Sequence, residues 1–221
     1  LPDYFGNLPS LDTLNLAGNQ LEGTLPSSYG NSNSISLIQV NNNQLTGTLP
    51  PSYGALTSLS YFYAHSNQLT GTLPDEYNNL GNLLELTLYS NLLHGTIPES
   101  YGNLVNLETF DVEINQISGT MPESFQNLTN LKILDVSFNQ MSGTLPMSLS
   151  SATALESLLF ARNTFSGNLP SAWSSLTSLR YLSVENNILS GTLPDSWSSM
   201  TALEEIFING NILSGNIPSS W

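Results

Sequence analysis

Apolar and polar positions follow one repeated phrase along this chain. It is clearest over Leu83 to Gly102, which reads L-x-x-L-x-L-x-x-N-x-L-x-G-x-I-P. Its central asparagine returns at Asn19, Asn43, Asn67, Asn91, Asn115, Asn139, Asn163, Asn187 and Asn211, a step of 24 residues with no insertion or deletion. A fixed step of this length predicts a solenoid, in which each turn covers the apolar side of the next. Period-two alternation at Leu86-Thr87-Leu88 predicts a short strand with one face inward. Equivalent strands must lie parallel and in register at about 4.8 Å, and nine of them make an inner sheet roughly 40 Å long. Gly95 with Pro98, and Gly119 with Pro122, then turn the chain away and bar a long regular helix. About ten residues are left for the return, enough for extended or 3-10 pieces. The strand side is the shorter one, so the stack curves.

Three columns serve the stacking. The asparagines are placed to donate to and accept from backbone groups of adjacent turns, a structural role preferred here over a ligand-binding ladder. An aromatic column (Phe5, Tyr29, Tyr53, Tyr77, Tyr101, Phe125, then Leu149, Trp173, Trp197, Trp221) reads as core on the outer side. Gly23 through Gly215, with Pro26 through Pro218, are turn chemistry. One turn alone buries too little to offset the entropy of ordering its backbone, so contact between turns must supply the difference. The second turn is irregular, with Ser32 where most others carry Leu. Residues 1–221 are therefore expected to form one solenoid domain of nine full repeats and a leading partial one, without caps. The chain has no initiator Met, and the expectation is a piece of a longer protein. End-to-end self-association through uncapped ends is the alternative.

Charge narrows the partners. The chain holds 17 acidic and 3 basic residues, a net charge of -14, so nucleic acid and anionic membrane are poor partners: phosphate contacts need clustered Lys and Arg. It has no cysteine, hence no disulfide framework, thiolate metal site or cysteine nucleophile. No apolar run approaches the roughly 18 to 20 residues of a membrane span, and no signal segment is present at Leu1.

Candidate chemistry lies in the columns that flank the strand leucines, which point away from the core. In repeats three to six, Tyr61, Tyr63, His65 and Tyr89 make an aromatic floor bordered by Glu85, Asp111, Glu113 and Asp135. Exposed aromatics bracketed by charge suit a basic or amphipathic protein or peptide, or a glycan stacking on Tyr. The competing explanation is strand propensity and solubility. A second patch comprises Ile133, Phe138, Leu159, Tyr181 and Phe207 near the three cations Lys132, Arg162 and Arg180, for which salt pairing with Glu156 and Glu185 is the plainer account. His65 and His94 stand in different phases and cannot share a ligand or proton, and Ser66, His65 and Glu85 sit on an open sheet without an oxyanion cradle. No catalytic residue, metal site or cofactor is therefore assigned. Asp111, Glu113 and Asp135 fall short of a Ca²⁺ loop.

The phrase resembles the plant-type extracellular leucine-rich repeats, LxxLxLxxNxLxGxIPxxLxxLxx, over essentially the whole chain. The later wording, LSGTLPDSWSSMTALEEI, resembles the surface-antigen leucine-rich repeats of kinetoplastid protozoa. The chain departs from plant ectodomains in lacking capping cysteine pairs and in carrying one glycosylation sequon, Asn127-Leu128-Thr129. The resemblance implies a non-catalytic extracellular or cell-surface recognition and adhesion module. The alternative is a structural coat or filament component, with the Thr of each GTLP as a sugar attachment point.

Overall fold

Each turn opens on a strand of three residues because only its middle residue has to face inward. In Tyr61–Tyr63, Phe62 is fully buried between two half-buried tyrosines. The computed structural model describes residues 1–221 and contains nine such strands: Thr13–Asn15, Leu37–Gln39, Tyr61–Tyr63, Glu85–Thr87, Thr109–Asp111, Ile133–Asp135, Ser157–Leu159, Tyr181–Ser183 and Glu205–Phe207. They pair in chain order into one parallel sheet. Tyr61 registers with Glu85 and Glu85 with Thr109, so positions one step apart in sequence are neighbours in space.

The chain then passes through a second sheet that the phrase does not announce. His94–Gly95, Gln116–Gly119, Gln140–Thr144, Thr164–Asn168 and Ile188–Ser190 form five parallel strands, and Glu22–Thr24 pairs separately with Gln44–Thr46. Gln140–Thr144 buries Met141 and exposes Gln140 and Thr144. Gly143, which reads as a turn, sits inside this strand at φ 83, a conformation glycine adopts without strain. The break it makes in the alternation hides the strand from a periodicity argument.

Proline then leads into nine 3-10 turns of five residues, from Asp3–Asn7 to Asp195–Ser199, the short return pieces expected from the residue count. Pro74 (φ -69, ψ 130) fixes the entry, and the carbonyl of Tyr77 accepts the Leu80 N–H at 3.0 Å. The aromatic column lies at the third residue of these turns, and from Tyr29 to Trp197 it is buried. Tyr29 and Tyr53 stack with ring centroids 6.2 Å apart, as do Trp173 and Trp197. Trp173 Nε1 donates to Pro146 O and Tyr101 Oη to Pro74 O, each at 3.0 Å, which ties their turns to the preceding ones. The buried hydroxyls of Tyr29, Tyr53 and Tyr77 have no such partner. Tyr101→Phe is therefore expected to lose about 1 kcal/mol in denaturant titration, while Tyr77→Phe holds or gains stability. Equal losses would contradict this division of the column.

The asparagines act as rivets between turns. Asn163 Oδ1 accepts the Met141 N–H at 2.8 Å, and Nδ2 lies 2.9 Å from Val136 O in the preceding turn. Its own turn offers Phe160 O and Ala161 O at 3.4 and 3.2 Å. Ser32 is buried in place of a leucine, and its hydroxyl accepts the N–H groups of Ser34 and Ile35. Just before each inner strand, Glu108, Lys132, Glu156, Arg180 and Glu204 form a column of alternating charge. Lys132 pairs with Glu108 at 2.6 Å and Arg180 with Glu204 at 2.7 Å. The expected pairing with Glu156 and Glu185 is not made: Glu156 lies one turn from both cations, and each leans the other way. Arg162 instead lies 5.0 Å over the Phe138 ring.

Candidate partner-binding site on the inner sheet

The inner sheet turns its odd columns away from the core, and there the eight candidate residues meet as two groups. The aromatic residues form two stacked pairs. Tyr61 and Tyr63 share a strand, with centroids 6.2 Å apart; His65 and Tyr89 share a column on adjacent turns, at 4.1 Å. Tyr63 Oη donates to Glu85 Oε2 at 2.8 Å, fixing both side chains. All five residues are half-buried. Burial lowers the His65 pKa, which favours the neutral ring.

The carboxylates form the other group. Asp111, Glu113 and Asp135 bring one oxygen each within 4.8 Å of one another. Burial pushes the Asp111 carboxyl up to about 7; the Glu113 N–H, donated to Oδ1 at 3.0 Å, opposes this, and the charges of Asp135 and Glu113 add to it. Glu113 is raised by burial and then by Asp135. Asp135 is raised by burial, with hydrogen bonds from Ser137 opposing, among them its N–H at 2.8 Å. With one oxygen each, the three carboxylates supply three of the six to eight oxygens a Ca²⁺ ion takes.

Two features of this face escaped the residue types. Thr87 registers with Tyr63 on one side and Asp111 on the other, and its hydroxyl is buried without a partner. Thr suits any strand, so nothing in its type marked it. The position before each asparagine has left-handed backbone, φ 52 to 55 in the seven turns where it is not glycine. Ile114, Phe138 and Arg162 occupy it in consecutive turns, where the others carry Asn, Ser or Gly. That contrast was available in the sequence once the backbone conformation is known. Elsewhere, Asn127 is exposed at the end of its 3-10 turn, and His94 is exposed on the second sheet.

A parallel inner sheet of nine strands, one per 24-residue turn, with an outward face of variable side chains, defines a repeat solenoid. The chain belongs to the leucine-rich repeat family: one family model matches residues 105–165 and another residues 10–32 and 178–200. Among solved structures it is similar to the Arabidopsis receptor kinase HAESA in complex with the peptide hormone IDA and the co-receptor SERK1 (34% identity, TM-score 0.94, 99% of this chain, 37% of that one). It is similar to the BIR2 ectodomain from Arabidopsis thaliana (33% identity, TM-score 0.50, 58% of this chain, 68% of that one). It is also similar to a plant ice-binding protein (29% identity, TM-score 0.80, 99% of this chain, 70% of that one). The chain spans 29% to 42% of the length of the plant receptor structures it matches. No curated protein matches it in sequence. No helix is long and apolar enough to cross a membrane.

Proposed function

We propose that this protein is an extracellular or cell-surface recognition module that binds a basic or amphipathic protein or peptide across the inner sheet of repeats three to six. The observation that carries this reading is the juxtaposition of two half-buried aromatic pairs with three carboxylates that have no cation in contact. Rigid rings give contact area at little entropic cost, and unpaired carboxylates favour a cationic partner. Support comes from HAESA, whose structure is a complex with a peptide hormone and a co-receptor. The surface-antigen wording of the later repeats supports a cell-surface setting, and Asn127 is the position where an N-linked sugar is expected. Affinity capture from the native extracellular medium, compared between wild type and the Tyr61→Ala/Tyr63→Ala and Glu113→Lys variants, tests the site. Each variant should weaken the partner by about 2 kcal/mol, roughly thirtyfold. A partner retained equally by all three would remove this patch from consideration.

A second reading is favoured by the outer sheet. Thr24, Thr48, Thr72, Thr96, Thr120, Thr144 and Thr192 are all exposed in one column, with Asn168 and Asn216 completing it. A methyl such as that of Thr48 packs over the glycine of the next turn, here Gly71, holding the side chain in place. In the neighbouring column Thr70 donates to Gly47 O and Ser118 to Gly95 O. In these two columns only Glu22 and His94 are ionisable, although the chain has 17 acidic residues. A rigid, neutral and periodic rail of hydroxyls suits the surface of ice, the ligand in the name of one structural neighbour. The Thr72→Glu/Thr96→Glu/Thr120→Glu variant should then lose any inhibition of ice recrystallisation that the wild type shows. Wild-type protein without such inhibition would dispose of this second reading.

A further inference from the structure

Strain and exposed apolar surface coincide at one place on this molecule. A left-handed backbone suits Gly and Asn but strains bulky side chains, β-branched ones most. Three consecutive turns nevertheless put Ile114, Phe138 and Arg162 there, with φ of 52, 53 and 53. Ile114 and Phe138 are 46% and 43% exposed, so no core packing explains their bulk. Beside them runs a groove of about 440 Å³ with Leu159 and Ala161 among its lining residues and Phe138 and Phe207 contributing aromatic surface. Phe207 is itself 46% exposed. The same groove is lined by Glu113, Asp135 and Glu185, none of which is in an ion pair.

We propose that this groove and its strained rim form a second docking site, for an extended segment of a partner protein carrying a bulky apolar side chain next to a Lys or Arg. Leu159 registers directly with Asp135 on the adjacent strand, about 4.8 Å away. Side chains one or two residues apart on an extended segment are separated by roughly 3.5 to 7 Å. One such segment running across the strands can therefore seat its apolar side chain on Leu159 and bring its cation to Asp135 or Glu113. Charge selects the occupant: an acidic segment would meet three carboxylates. Occupation of this groove does not require the tyrosine patch to bind the same partner.

The test starts from a phage-displayed library of random linear peptides about 12 residues long, long enough to cross the sheet. Selected peptides should share a Phe, Leu or Trp beside a Lys or Arg. The best one, labelled and titrated by fluorescence anisotropy, should bind Leu159→Asp and Phe138→Asn at least about tenfold more weakly. Phe138→Asn installs the residue that Asn42 and Asn186 place in the same backbone conformation, so its melting temperature should stay within about 3 °C of wild type. A loss of binding in that variant then reflects the surface and not unfolding. The Tyr61→Ala/Tyr63→Ala variant should bind this peptide within about twofold of wild type. Failure to enrich any such sequence, or a selected peptide indifferent to both groove variants, overturns the proposal. A peptide lost only with the tyrosines also overturns it while leaving the tyrosine patch standing.

Discussion

Asn163→Ala should destabilise the protein by about 3 kcal/mol, among the largest losses for any single polar side chain in the chain. Alanine leaves the Met141 N–H without a partner, a buried orphan that costs about 1 to 3 kcal/mol, and takes from the Val136 carbonyl one of its two amide donors, leaving only Asn139 Nδ2 at 3.1 Å. Asn19 is the internal comparison. Its side chain is exposed and reaches only Leu16 O and Ala17 O of its own turn, so Asn19→Ala should lose less than about 1 kcal/mol. Urea unfolding of both variants measures the difference. Equal losses would mean that the asparagines stabilise single turns and do not join neighbours.

Asp111→Asn should act in the opposite direction, and only at the right pH. The folded protein raises this carboxyl from 3.8 to about 7, chiefly by burial. Between those values the folded state keeps a proton that the unfolded chain has released. The group's contribution to stability is therefore fully present below about pH 4 and is lost as the pH climbs through 7. The full shift corresponds to roughly 4 kcal/mol, and because the group is half-buried we expect about 2 to 4. Asparagine cannot ionise, so the variant should be more stable than wild type at pH 8 and should show a flatter melting profile between pH 4 and 7. Unchanged stability at pH 8 would refute the assignment. The same linkage reaches function under the proposed reading: a cationic partner stabilises the ionised carboxyl, so its affinity should rise as the pH passes 7 and its binding should release protons.

Much of this architecture was legible in the sequence, and the reason is physical. The asparagines repeat at 24 residues because their hydrogen bonds reach a fixed distance into the preceding turn, and any insertion would break them. The aromatic column was legible as core for the same reason, since one phase of a solenoid keeps one environment. The outer sheet was not legible. Its glycines, such as Gly143, interrupt the alternation that reveals a strand, and its hydrogen bonds run between turns. For the candidate site, column arithmetic brought Tyr61, Glu85 and Asp111 to one face, which the register reproduces. It could not show that Tyr63 and Glu85 hold each other, that Asp111 is buried, or that Thr87 lies between them, because these depend on side-chain rotamers and depth.

The alternating charges at the foot of the inner strands carry an evolutionary consequence. From Glu108 to Glu204 the sign changes at every turn, and two of the resulting contacts are close ion pairs. Duplicating or deleting a single repeat within this stretch would bring like charges side by side, whereas gain or loss of two repeats at once keeps every anion beside a cation. Over this half of the molecule the unit of inheritance compatible with its electrostatics is the pair, even though the unit of folding is the single repeat.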